Sequence, residues 1–317
     1  MRTAALGPTD VQVSRLAYGG MRLSPSWDAE KVSADDIARG VAMLESAVDA
    51  GYTFIDHADI YGGTLGETIH GLAMERHPEW RDRLVVATKC GIRWEDEPAG
   101  APHRYDFSAG HIRQSVDDSL RRLKIERIDL YQLHRPDWLA DPAEIAAAMV
   151  ELHRAGKVRH FGVSNFRPSL VRALQGALPF PLVSNQVEIH FLRLDPFEDG
   201  TLDQCLEMKL SPLAWSPLAG GRLAAALGPA APPPKSIADQ AAVLRLQRVL
   251  ADVAAHYGVT PLAILLAWQM RHPSRIIPIV GTTSAQRMRE AARADDIELD
   301  RESWYKILLA ARGEKLA

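Results

Sequence analysis

From residue 16 to its end the chain alternates short apolar runs that read as β-strands with amphipathic segments that read as helices. The strand-like runs cover 16–18, 52–56, 84–89, 128–134, 161–164, 183–188, 213–215 and 276–280. Between them lie stripes at helical spacing, such as Ile37, Val41, Leu44 and Val48, opened by Ser33 and Asp36 in a capping arrangement. Ile112, Val116, Leu120 and Leu123 form another stripe, and Asp141-Pro142 opens a third helix. Eight strands with helical crossovers in 317 residues predict a closed (β/α)₈ barrel rather than an open sheet. A hairpin over 2–16 is expected before the barrel, a terminal helix over 302–311 after it, and one domain over 1–317. No G-x-G-x-x-G run occurs, which argues against a doubly wound dinucleotide fold. The Pro-rich stretch 228–235 reads as a loop over the barrel mouth, because strands continue beyond it.

Composition narrows the functional classes. Hydrophobic residues at 47% and charged residues at 24% match a globular chain with a large core. A net charge of −3, with Lys and Arg scattered, leaves no footprint for nucleic acid. Cys90 and Cys205 are too few and too far apart for a disulfide framework or a zinc site, and read as inert thiols of a reducing compartment. No apolar run reaches the roughly 18 residues of a membrane span, and the first residues lack a signal-peptide core. A soluble cytoplasmic protein is expected.

Four titratable residues fall at the ends of successive strands: Asp56, Tyr61 just after it, Lys89 and His134. In a parallel barrel all strand C-termini open at one mouth, so these groups can converge there. Each alone has a plain structural explanation. The Asp can cap a turn, the Tyr can pack, the Lys can lay its stem on apolar surface, and the His can be a satisfied core residue. Together, at the same end of three consecutive strands, they suit protonation of an oxygen. A phenol near an ammonium group is made more acidic, and the ammonium needs a carboxylate to stay charged in a partly dry site. His57 and Asp59 flank the group but lack a third ligand at suitable spacing, so no metal is predicted.

The motifs Phe54-Ile-Asp-His-Ala-Asp-Ile-Tyr-Gly62, Thr88-Lys89, Leu133-His134, Gly162-Val-Ser-Asn-Phe166, Asn185-Gln-Val-Glu188 and Ala214-Trp-Ser-Pro-Leu218 resemble, in order, those of the aldo/keto reductase superfamily. The likeness spans essentially the whole chain and is greatest to a bacterial subgroup of oxidoreductases. It implies NADPH-dependent reduction of an aldehyde or ketone, with Tyr61 donating the proton while Asp56, Lys89 and His134 tune or align.

The resemblance also implies a cofactor track. Ser164, Asn165 and Gln186 would hydrogen-bond the nicotinamide carboxamide and Trp215 would stack on the ring. The family more often has Tyr at that last position. Gly20 and Met21 belong to the track, and Ser216, Leu218, Gly220, Gly221 and Arg222 would line the pyrophosphate. Gly281, Thr282, Thr283, Arg287 and Glu290 match the adenosine-phosphate stretch, with Arg287 on the 2′-phosphate favouring NADPH over NADH. Gly281 and Ala291 stand where many members carry Lys and Asn. Trp27, Trp94 and Trp138, in loops after the first, third and fourth strands, would wall the mouth for apolar or aromatic carbonyl substrates, or serve only packing. With little chain after the terminal helix, an open, permissive site is expected. Two other functions remain open: a slow nicotinamide-sensing barrel subunit that regulates a partner, and a Schiff-base lyase acting through Lys89. A monomer is compatible with all three.

Overall fold

The computed structural model describes residues 1–227 and 237–316. The stretch 228–235, expected to cover the mouth, lies outside the described residues. The chain opens with an antiparallel hairpin, β1 (Thr3–Ala5) and β2 (Gln12–Ser14), turned at Gly7 with φ +58°. Then follow β3 (Ala17–Gly19), α1 (Ala34–Asp49), β4 (Phe54–Asp56), α2 (Leu65–Arg76) and β5 (Val85–Cys90). A small antiparallel pair, β6 (Ile92–Arg93) and β7 (Arg104–Tyr105), precedes α3 (Ala109–Leu123), β8 (Ile128–Leu133) and α4 (Pro142–Arg154). The second half runs β9 (Val158–Ser164), α5 (Pro168–Ala177), β10 (Ser184–Glu188), α6 (Thr201–Met208) and β11 (Ser211–Trp215). It ends with α7 (Ile237–Tyr257), α8 (Pro261–Met270), β12 (Ile277–Val280), α9 (Ala285–Ala292) and α10 (Arg301–Arg312).

Strands β3, β4, β5, β8, β9, β10, β11 and β12 close in that order into a parallel barrel, as the alternation predicts. Its eight parallel pairings include Gly19 beside Asp56, Asp56 beside Ala87, Lys89 beside Gln132 and Ser164 beside Gln186. That register brings the site residues level at one rim. The N-terminal hairpin serves the other end. Leu6, Val11 and Val13 are buried against the inward residues Ala17, Phe54, Val85, Leu130, Val183 and Leu213, so the hairpin plugs the bottom of the barrel. Phe161 and its neighbours belong to the larger cluster between strands and helices.

Caps are placed where the sequence puts them. Ser33 and Asp36 form a reciprocal capping box on α1, and Asp141 caps α4 ahead of Pro142. The terminal helix is locked to α8 by a reciprocal pair: each indole N–H of Trp268 and Trp304 donates to the other's carbonyl at 3.0 Å, with the rings stacked 4.8 Å apart. Two features differ from expectation. Strand β9 begins three residues early because Arg159 and His160 interrupt its apolar pattern, and two-residue strands such as β6 and β7 leave no periodic signal. No single helix among the described residues is long and apolar enough to cross a membrane.

Gly71 of α2 lies against the end of α3, where a Cβ would sit inside contact distance of the Arg122 carbonyl oxygen. Ala is the better helix former by about 1 kcal/mol, but overpacking against a fixed carbonyl costs about 1–3 kcal/mol. Gly71→Ala is therefore expected to lower stability, measured as a lower urea midpoint at unchanged slope. A raised midpoint would show that the two helices can separate freely.

Candidate active site

Strand β4 delivers Asp56 at its last position, and the following turn carries Tyr61. Lys89 is the penultimate residue of β5, and His134 follows β8 directly. All four are brought together. Lys89 is fully buried, and its ammonium donates to Asp56 Oδ2 at 2.8 Å and to the His57 carbonyl at 2.6 Å, with the Tyr61 hydroxyl at 3.4 Å. Tyr61 and His134 meet edge to face with ring centroids 6.0 Å apart.

Burial alone would push the Lys89 pKa down, but the Asp56 carboxylate and then Tyr61 reverse this and leave it raised. The ammonium therefore stays charged. For Tyr61, burial raises the pKa and outweighs the lowering by Lys89. This revises the expectation that the ammonium makes the phenol more acidic: Lys89 offsets only part of the desolvation. His134 is held well below the usual imidazole value by burial, then by Lys89 and Arg135, so it is neutral and keeps one N–H to donate.

A hydrogen-bond chain continues from this group around the rim. Gln186 Nε2 donates to Asp56 Oδ1 at 2.8 Å, and the Ser164 hydroxyl donates to the Gln186 carbonyl at 2.9 Å. Asn165 Nδ2 donates to Ser164 Oγ at 2.8 Å and to the His134 carbonyl at 3.2 Å, while the Trp215 indole N–H donates to Asn165 Oδ1 at 3.0 Å. Asn165 and Ser216 hold left-handed backbone, with φ +62° and +51°, where the chain turns out of its strands.

These residues line a cleft of about 600 Å³ that runs from Asp56, Tyr61 and His134 past Trp215 to Gly281, Thr282, Thr283 and Arg287. Met21, Ser216, Leu218, Gly220 and Gly221 line it as well. Gly220 and Gly221 have φ +65° and +101°, and a Cβ on either would meet nothing within 4 Å, so glycine serves the turn's shape there rather than clearance. Arg287, exposed at the start of α9, forms no ion pair or hydrogen bond through its guanidinium among the described residues. The Tyr18 hydroxyl donates to the Thr282 carbonyl at 3.3 Å, tying β3 to this loop.

Other expected residues sit differently. Gly20 is buried behind the lining, where a Cβ would strike the His57 ring. Arg222 is exposed past the turn, and Glu290 lies on α9 accepting from Gln286 at 2.9 Å. Trp27 stands at the rim, edge-on to Tyr61 at 6.3 Å, and Trp94 is edge-on to Trp27 at 6.0 Å. Trp138 does not join this wall. Asp137 accepts from the backbone N–H groups of Phe107 and Leu139, which turns the loop outward and leaves Trp138 91% exposed.

Arg135, absent from the residues expected at the site, lines the cleft directly after His134. The use made of His57 is likewise unexpected. That ring is fully buried and bonded to His70 of α2, Nε2 to Nδ1 at 2.7 Å. Adjacency to a strand end could have pointed to Arg135, whereas nothing local links His57 to His70. Asp59, half-buried near Glu67, has its pKa raised well above the usual carboxylate value by desolvation and then by Glu67.

Fold and side chains together are those of a barrel enzyme equipped for acid–base work at an oxygen atom beside a long cleft. Residues 15–309 match the Aldo/keto reductase family, and the chain belongs to that family. It is an oxidoreductase of the class that uses nicotinamide cofactors to reduce small carbonyl compounds. Over 317 aligned residues it is 41% identical to a 6-dehydroglucose reductase of Novosphingobium aromaticivorans, covering 98% of this chain and 96% of the relative. It is 37% identical to the oxidoreductase YdhF of Escherichia coli, with 97% of each chain covered. Among solved structures, a glycerol dehydrogenase from Gluconobacter oxydans superposes with TM-score 0.84 at 26% identity, covering 99% of this chain and 97% of that one.

Three imidazoles are buried in the neutral form. His57 and His134 titrate well below the ordinary imidazole value of 6.5 because they are buried, and burial, followed by Arg81, takes His70 to about 3. Unfolding below about pH 6.5 therefore takes up protons on these rings, so their contribution is complete above that value and is lost as pH falls toward 3. Asp59 acts in the opposite sense, releasing a proton on unfolding, but it is one carboxyl against three imidazoles. The urea midpoint is expected to fall from pH 7 to pH 5. His70→Gln should make that fall shallower, and an unchanged pH slope would remove His70 from the account.

Proposed function

We propose that the chain, acting as one barrel domain, reduces an aldehyde or ketone to an alcohol with NADPH, Tyr61 donating the proton. What carries this is the placement of a charged, fully buried Lys89 between Asp56 and the Tyr61 hydroxyl, on the same cleft as Arg287, which is unpaired among the described residues. The cleft fits the cofactor. Its volume suits a large ligand, its glycine turn has open backbone, and among the described residues Arg287 lacks a partner, which a 2′-phosphate would supply. When bound, the nicotinamide supplies hydride to the carbonyl carbon.

The chain's own residues do the rest. Neutral His134 donates a hydrogen bond that holds the carbonyl oxygen toward Tyr61. As negative charge gathers on that oxygen, Tyr61 releases its proton to it, and the Lys89 ammonium stabilises the phenolate left behind. Asp56 keeps Lys89 charged and in place. Ser164, Asn165 and Gln186 hold the nicotinamide carboxamide and Trp215 offers its ring face, with the indole fixed by Asn165. Thr282, Thr283 and Arg287 hold the adenosine phosphate. A raised Lys89 pKa runs against a Schiff-base role, which requires a free amine. The similarity to a relative named 6-dehydroglucose reductase favours a hydroxylated carbonyl substrate over an apolar one. Two buried free thiols accord with a cytoplasmic setting.

Tyr61→Phe is expected to cut carbonyl reduction by about 10²–10⁴-fold while NADPH affinity, read by fluorescence, changes little. Strong residual turnover would assign the proton to another donor. Arg287→Ala should weaken NADPH by about tenfold or more and NADH far less, as loss of a charge-assisted contact implies. Equal losses would remove Arg287 from the phosphate.

A further inference from the structure

Arg135 differs from the exposed Arg22 and Arg287 of the same cleft in being half-buried, as Arg122 and Arg81 are elsewhere in the barrel. Lys89 is paired with Asp56, Arg122 with Glu67, and Arg81 with Asp129. The half-buried Arg135 makes no hydrogen bond or ion pair among the described residues. Its guanidinium carbon lies 5.4 Å from the Trp215 ring centroid, so the indole face holds a cation whose donors remain unmet. Arg135 lines the cleft with Tyr61 and His134, and its sequence position next to His134 keeps it within reach of whatever that imidazole orients.

A purely apolar carbonyl compound entering here would strip water from the guanidinium and give nothing back, which disfavours it. A carbonyl compound with an oxygen on a nearby carbon restores those hydrogen bonds. The rim fits the rest of such a molecule. Trp27 and Trp94 are half exposed and edge-on to each other, and Trp27 is also edge-on to Tyr61, leaving aromatic surface for the C–H faces of an oxygenated carbon chain. Rims of this kind combine with polar forks to bind amphipathic ligands.

Building on the reductase reading above, we propose that Arg135 is a specificity-determining residue. Its guanidinium accepts as substrates those aldehydes or ketones that carry a hydroxyl or carboxylate oxygen close to the carbonyl. This replaces the apolar substrates expected from the tryptophan rim with oxygenated ones.

Matched aldehydes test it: propanal against glyceraldehyde for the hydroxyl arm, and butanal against succinic semialdehyde for the carboxylate arm. NADPH oxidation is followed for the unsubstituted protein, Arg135→Met and Arg135→Lys, and NADPH Kd is measured by fluorescence for each. In at least one arm the unsubstituted protein should favour the oxygenated partner by about tenfold or more in kcat/KM, mostly through KM. Arg135→Met should bring that ratio close to one. Arg135→Lys should keep more of it in the carboxylate arm, because an ammonium retains charge but loses the planar fork. The arm that responds identifies the group recognised. A ratio unchanged in both variants overturns the assignment, as does a common loss for all four aldehydes that tracks a rise in NADPH Kd, which would place Arg135 on the cofactor. Failure of the unsubstituted protein to reduce any of the four would overturn the reductase reading, and this one with it.

Discussion

The Asp56–Lys89 ion pair is the contact on which the rest of the rim is arranged. Burying both charges is costly, and such pairs persist only where further hydrogen bonds complete them. Here they do. Lys89 has the His57 carbonyl as a second acceptor, and Asp56 Oδ1 accepts from Gln186. The His57 backbone is held in turn by its N–H on the Ala87 carbonyl and by its ring on His70. Four elements, β4, β5, β10 and α2, therefore converge on one ammonium group. Removing Asp56 would leave a cation in a dry site and release the Gln186 side chain together with it.

From that pair the hydrogen bonds pass through Gln186, Ser164 and Asn165 to Trp215. The proposed proton donor and the proposed ring platform are thus fixed by one polar chain rather than by separate pockets. The barrel supplies the stiffness for this, since each link starts from a strand end whose register is set by parallel pairing. The hairpin plug and the Trp268–Trp304 lock stabilise the far end and the outer layer, leaving the mouth free to be polar.

Much of this was legible in the sequence because it rests on local pattern. Eight apolar runs set the barrel, and Asp56, Lys89 and His134 could be placed together since they share a strand end. Ser33 and Asp141 announced their helices through short-range capping chemistry. What could not be read depends on partners distant in the chain. The His57–His70 bond joins a strand end to a helix face, and the isolation of Arg135 among the described residues depends on which carboxylates the fold brings near it. Trp138 misled for the same reason: the loop's direction is decided by Asp137 reaching Phe107, 30 residues earlier in the chain. The β6–β7 pair is too short to carry a period at all.

The upward shift of Tyr61 runs against easy proton release, yet it suits the proposed task and follows from the same burial. A proton donor must hold its proton until the acceptor becomes basic, and the oxygen of a carbonyl receiving hydride becomes far more basic than a phenolate. Desolvation therefore protects the donor in the resting site without removing the driving force at the moment of transfer. Lys89, at 3.4 Å, is distant for a hydrogen bond to the neutral phenol but well placed to attract the phenolate. Its stabilisation grows as the charge forms, which is where it accelerates the step. Asp56 limits how far this can go, since its charge favours the neutral phenol while holding the ammonium that favours the ionised one.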